Sequence, residues 1–200
     1  MGKLYGVSHD VENLDELSQL IRELEYQNFQ SASLELPDDY LELREQNMGI
    51  FFFGVIGKYL EEKGTKIFSL DPPELMDEVY TLIDSIAIKK GEYDISEVNS
   101  ELRVAKKKVD DNFVAPEVRF RYKRILRRNP RILELTQNGL RVEELESMLM
   151  SVHKKRDEVM LERINEINPE LVVVGLGHAR EIKNKLTNYE YIDFTKVIYR

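Results

Sequence analysis

Glu170-Leu171-Val172-Val173-Val174-Gly175-Leu176-Gly177-His178 is the stretch on which the fold turns. Its run from Leu171 to Val174 has no polar face, which marks a strand covered on both sides, the setting of a central strand in a parallel sheet. The segment from Gly177 to Leu186 then reads as a helix, and Tyr189 to Phe194 as a last strand, at an edge. The same alternation begins at the N-terminal end. Leu4-Tyr5-Gly6-Val7 reads as a strand, Ser8-His9-Asp10 as the loop after it, and Leu14, Leu17, Leu20, Ile21 and Leu24 recur at helical spacing. Ser31 to Leu36 is a second strand stopped by Pro37, and a helix from about Tyr40 to Glu62 ends at Gly64. Lys66 to Asp71 is a third strand, stopped by Pro72-Pro73. Strand alternating with helix predicts a parallel sheet whose right-handed crossovers gather the strands' C-terminal ends on one edge.

Residues 72–168 carry no strand signal. Their apolar spacing predicts several helices, broken near Gly91, Ala115-Pro116, Asn129-Pro130 and Asn138-Gly139, with a long helix from Val142 to Ile167. The expected architecture is therefore one α/β domain over residues 1–200, a mainly parallel central sheet flanked by helices, with a helical insertion at about 72–168 between the two halves of the sheet.

Composition narrows the context. A chain of 200 residues can bury a sizeable core without staples, and it has no cysteine, which rules out a disulfide framework, a zinc-thiolate site or a thiol nucleophile. The longest apolar run, Met48 to Gly57, is far short of the ~20 residues that span a bilayer. A first strand near Lys3 leaves no room for a signal peptide, so a cytoplasmic protein is expected. The charged fraction of 33% fits the ion-pair-rich surface of a thermophile's protein, and the net charge of -8 argues against a general nucleic-acid binder.

Chemistry points to the ends of the strands. Two of the three histidines lie in Gly-x-x-His elements, Gly6-Val7-Ser8-His9 and Gly175-Leu176-Gly177-His178, each after a strand. Open parallel sheets bind ligands outside the carboxyl ends of their strands, where His9, Glu35, Asp71 and His178 all fall. Two imidazoles with one or two carboxylates suit a divalent transition metal, or a general acid/base pair acting on water. Gly175 and Gly177 are expected to allow a tight turn and close approach to a ligand, with the following helix's amides free for an oxyanion or phosphate. Each residue also has an ordinary role: a loop histidine caps or faces solvent, Glu35 forms a structural ion pair, and Asp71 before Pro72-Pro73 starts a helix.

The helical insertion adds two clusters. His153, Arg156 and Asp157 share one face of the long helix, where they reach a cleft or form exposed pairs. Arg119, Arg121, Lys123, Arg124, Arg127, Arg128 and Arg131, with Phe120 and Tyr122 among them, have the makeup of a nucleic-acid surface. The favoured reading is instead a basic helix facing the acidic helix around Asp10 to Glu25, or an acidic subunit partner.

In order along the chain these motifs resemble the TraB/Tiki family, within the superfamily that includes erythromycin esterase-like and ChaN-like proteins. Gly6 to His9 is similar to its first Gly-x-x-His and Ala32 to Asp38 to its Glu-bearing strand. Ser69-Leu70-Asp71 is similar to the third strand, Arg156-Asp157 before Met160 to its Arg-Asp helix motif, and Val172 to Ala179 to its second Gly-x-x-His. The resemblance implies a metal-dependent peptidase or related hydrolase, as in Tiki proteins, with TraB members linked to inactivating peptide pheromones. It implies that His9, His178 and Glu35 hold Mn²⁺, Co²⁺ or Zn²⁺, that Glu35 or a histidine serves as base, and that Arg156 stabilises charge on the intermediate. Gly6, Gly175, Gly177 and Asp71 then line the ligand, a peptide or small molecule. Two other classes stay open: a module that holds phosphate, nucleotide or haem without turnover, and a nucleic-acid or protein interaction module. A homodimer built on the helical insertion is compatible with any of them.

Overall fold

Every residue of Leu171–Gly175 is buried, as an all-apolar strand requires, and the rest of the molecule is arranged around it. A computed structural model describes residues 1–8, 14–37, 52–111 and 114–196. Among them the order is β1 (Gly2–Val7), α1 (Leu14–Glu25), β2 (Ser31–Pro37), α2 (Phe52–Glu62), β3 (Lys66–Asp71), α3 (Pro73–Lys90), α4 (Ile95–Lys108), α5 (Pro116–Gln137), α6 (Val142–Ile167), β4 (Leu171–Gly175), α7 (Leu176–Ile182) and β5 (Tyr189–Asp193). The fold is α/β. Its five strands are all parallel, in the order β3-β2-β4-β1-β5, with helices between them in sequence.

That order decides where the loops diverge. From β1 the chain steps past the place of β4 to β2 and on to β3; from β4 it steps the other way, past β1, to β5. Right-handed crossovers running in opposite directions lie on opposite faces of a sheet. Accordingly Leu20 and Leu24 of α1, with Phe52, Phe53, Ile56 and Leu60 of α2, pack on one face against Tyr5, Val7, Leu34 and Val173. Ala179 and Ile182 of α7, with Met160 and Ile164 of α6, pack on the other against Leu4, Val172 and Val174. The adjacent ends of β1 and β4 are therefore a topological switch point, where helices leave to opposite sides and open a crevice.

The chain forms two compact units: residues 1–72 with 157–200, which hold the sheet, and residues 73–156. The insertion expected within one domain is thus a unit of its own, and the last turns of α6 belong with the sheet. The helical unit has a separate apolar centre, Leu82, Ile86, Leu135 and Leu145, with Met148, Leu149 and Val152 against it. Gly91 and Gly139 stop α3 and α5 in left-handed conformation, at φ 76° and 69°.

One expected break is absent. α5 runs through Pro130, although an interior proline removes a helix hydrogen bond and costs about 3 kcal/mol. Packing on both sides offsets that cost: Ile132 and Leu135 are buried, and the neighbouring Asn129 amide donates to the Val98 carbonyl at 3.1 Å and to Glu101 at 3.3 Å. The helix expected over 177–186 is also shorter, giving way after Ile182 to a 3-10 turn at Lys183–Lys185. Of the helix expected from Tyr40, the part up to residue 51 lies outside the described residues.

Candidate functional site at the switch point

The two Gly-x-x-His elements begin on neighbouring strands, one residue out of register. Gly6 pairs with Val174 and Val7 with Gly175, so β1 and β4 end side by side at the C-terminal edge. β2 flanks β4 on its other side, with Leu34 opposite Val173. Beyond Leu34 the β2 ladder shifts: Leu34 pairs with Ser69 but Pro37 with Asp71, so β2 carries one residue more than β3 there. A bulge of this kind re-aims a side chain, and the residue it releases is Glu35.

The Glu35 carboxylate turns toward β4 and takes over part of the lost ladder. Its Oε2 accepts the Gly175 N–H at 2.6 Å, and its Oε1 lies 3.4 Å from Nε2 of His178. The other ring nitrogen of His178, Nδ1, contacts Oδ1 of Asp157 on α6. His178 is thus held between two carboxylates, all three side chains being nearly buried, at 13% exposure for His178, 8% for Glu35 and 15% for Asp157.

Chain geometry explains why Asp157 arrives there. Residues 157–167 of α6 rise about 16 Å, the length of the five-residue β4, so a helix running back along the sheet brings Asp157 level with the strand's C-terminal end. Met160 and Ile164, one and two turns on, face the sheet and fix the helix's rotation. Asn168, in left-handed conformation at φ 48°, ends the helix and donates its N–H to the Ile164 carbonyl at 2.8 Å.

The expected residues fare differently. His178 and Glu35 come together; His9 lies outside the described residues, directly after Ser8. Asp71 is buried at the end of β3 on the same edge, two strands from β4. Arg156 is buried as the last residue of the helical unit, and His153 belongs to that unit as well. Of the helix-face group His153, Arg156 and Asp157, it is Asp157, to which the sequence assigns no catalytic or ligand role, that meets His178.

The glycines need a correction. β4 passes into α7 without a loop, Gly175 has φ -55°, and Gly177 is helical and exposed with open space around it, so no tight left-handed turn exists at either. Gly6 serves packing: a Cβ there would come within 2.8 Å of the Ala179 Cβ, because α7 lies directly on β1. The Gly175 amide, just ahead of the helix whose opening amides were expected to face an oxyanion, is held by Glu35.

The basic segment also resolves differently. Arg124 and Arg127 each donate to Asp77 at 2.9 Å, and Arg128 contacts Asp84, so α5 has an acidic partner within its own unit, α3. Arg124 and Arg128 further cover the Tyr80 ring, at 5.6 and 5.2 Å from its centre. Arg119 donates to the Asp111 and Val114 carbonyls at 3.2 Å, and Arg131 pairs with Glu134 at 2.7 Å. Among the described residues no helix is long and apolar enough to cross a membrane, and no group of three or more metal-ligating side chains is assembled.

Compared with known proteins, the chain matches no family model, no curated protein and no solved structure.

Proposed function

We propose that the chain is a metal-dependent hydrolase acting on a peptide or small molecule at the ends of β1, β2 and β4, as its resemblance to the TraB/Tiki family implies. The observation that supports this most is the placement of His178 between Asp157 and Glu35. Two donors of one tetrahedral ion, each about 2.0–2.1 Å from it, stand about 3.3–3.4 Å apart. The 3.4 Å between His178 Nε2 and Glu35 Oε1 is that spacing. A carboxylate on the far ring nitrogen is the usual outer partner of a metal-bound histidine, because it fixes the tautomer that leaves Nε2 free to ligate. Asp157 fills that position. With His9 as a further donor, the set suits Mn²⁺, Co²⁺ or Zn²⁺.

A bound divalent ion supplies a water acidic enough to ionise near pH ~7. The protein's part is orientation. Asp157 holds the imidazole plane, the Gly175 N–H fixes the Glu35 carboxylate by one oxygen, and the other Glu35 oxygen stays directed at the reacting region as ligand or base. The same carboxylate argues against a phosphate or nucleotide module, since it puts negative charge where the phosphate would meet the Gly175 amide.

The test is thermal unfolding of chelator-treated protein titrated with Mn²⁺, Co²⁺ and Zn²⁺, beside the His178→Ala and Glu35→Gln proteins. Saturable stabilisation is expected in the parent, about 2.7 kcal/mol at a hundredfold excess over Kd, and little in either variant. Equal shifts in all three proteins, or none with any ion, would overturn the reading.

A further inference from the structure

Glu16 stands in the first turn of α1, where acidic side chains ordinarily face solvent and the helix dipole, as its exposed neighbour Asp15 does. Glu16 is instead 0% exposed, and Ser8 donates its backbone N–H to the Glu16 Oε1 at 2.7 Å. A carboxylate is buried only where partners hold it, and the Ser8 amide is one of those that hold Glu16. Ser8 lies inside the first Gly-x-x-His, immediately before His9. The neighbouring strand repeats the arrangement: the Gly175 N–H, opening the second Gly-x-x-His, is held by Glu35 at 2.6 Å, and Val7 and Gly175 are register partners. Glu16 reaches the end of β1 from α1 and Glu35 reaches the end of β4 from β2, so two carboxylates from different elements hold adjacent strand ends.

We infer that Glu16 is a positioning residue of this site, holding the C-terminal end of β1 through the Ser8 amide as Glu35 holds the end of β4; the inference rests on the hydrolase reading above. What the role demands is an acceptor oxygen at the right reach, not a charge. Glutamine keeps both length and carbonyl oxygen. Aspartate keeps the charge but falls short by one carbon–carbon bond, about 1.5 Å.

The experiment compares the parent with Glu16→Gln and Glu16→Asp, both conservative enough to preserve the packing of α1. Exchange of the Ser8 amide is followed by NMR in chelated protein, and affinity for Mn²⁺, Co²⁺ and Zn²⁺ by calorimetric titration. Glu16→Gln is expected to keep Ser8 protected and to bind metal within about threefold of the parent, whereas Glu16→Asp exposes Ser8 and weakens binding by about 10–100-fold, the range of outer-shell changes. Parent-like affinity in Glu16→Asp would remove the positioning role. Loss in Glu16→Gln with parent-like affinity in Glu16→Asp would mean that Glu16 acts through its charge, and would likewise overturn the inference. A parent that binds no metal would overturn the hydrolase reading, and with it the site role of Glu16, while Ser8 exchange still reports on the contact itself.

Discussion

At the residue scale the His178 imidazole faces two carboxylates, Glu35 and Asp157, and the proposed metal site rests on that contact. Asp157→Asn leaves the shape of the pair intact but replaces a pure acceptor with a group that also donates, so the tautomer that presents Nε2 is no longer enforced. Metal affinity is expected to fall by about 10–100-fold, with little change in the unfolding midpoint of the chelated protein; calorimetry and thermal unfolding check the two halves. In the helical unit, burial pushes the Asp84 carboxyl up from its ordinary value and outweighs the lowering pull of the Arg128 guanidinium. A carboxyl raised in the folded state contributes its stability when protonated: in full below the unfolded value near ~4, and lost as pH rises through the folded one. Asp84→Asn should therefore gain stability relative to the parent as pH rises across the acid range, measured by urea unfolding at stepped pH.

Among the elements, the two motif glycines that open on β1 and lie within α7 make opposite predictions. Gly6→Ala sets a methyl group within 2.8 Å of the Ala179 Cβ and should cost about 1–3 kcal/mol by forcing α7 off the sheet. Gly177→Ala meets nothing within 4 Å in a helical position and should stabilise by about 0.5–1 kcal/mol; denaturant unfolding separates the two. Much of the element pattern was legible beforehand because it rests on local signals. The apolar run of β4, the helical spacing of α1, the prolines that end β2 and β3, and the whole length of α6 all needed only neighbours in sequence. What was hidden depends on distant partners. The β2 bulge that frees Glu35 shows only in the pairing of β2 with β3, Asp157 reaches His178 because α6 matches the length of β4, and Pro130 is tolerated because Ile132 and Leu135 are buried and α4 holds Asn129. The glycines misled for the same reason: a Gly-x-x-His spacing looks the same whether its glycine makes room for a ligand or for a helix.

Division into two units, each with its own apolar centre, governs behaviour of the whole molecule. Leu82 is fully buried in the helical unit, so Leu82→Ala should cost about 2–5 kcal/mol there. Amides of residues 73–156 should lose exchange protection first while those of β1 and β4 keep theirs; equal loss across the chain would show one cooperative block instead. The strand order carries a further consequence, for synthesis. Both hydrogen-bonding neighbours of β1, β4 and β5, belong to the last thirty or so residues of the sequence, and β4 also joins β1 to β2. On the ribosome β1 therefore waits for β4 and β5, with its apolar side chains uncovered while some 160 residues follow it out of the tunnel, and the crevice between the ends of β1 and β4 is assembled only once those strands emerge.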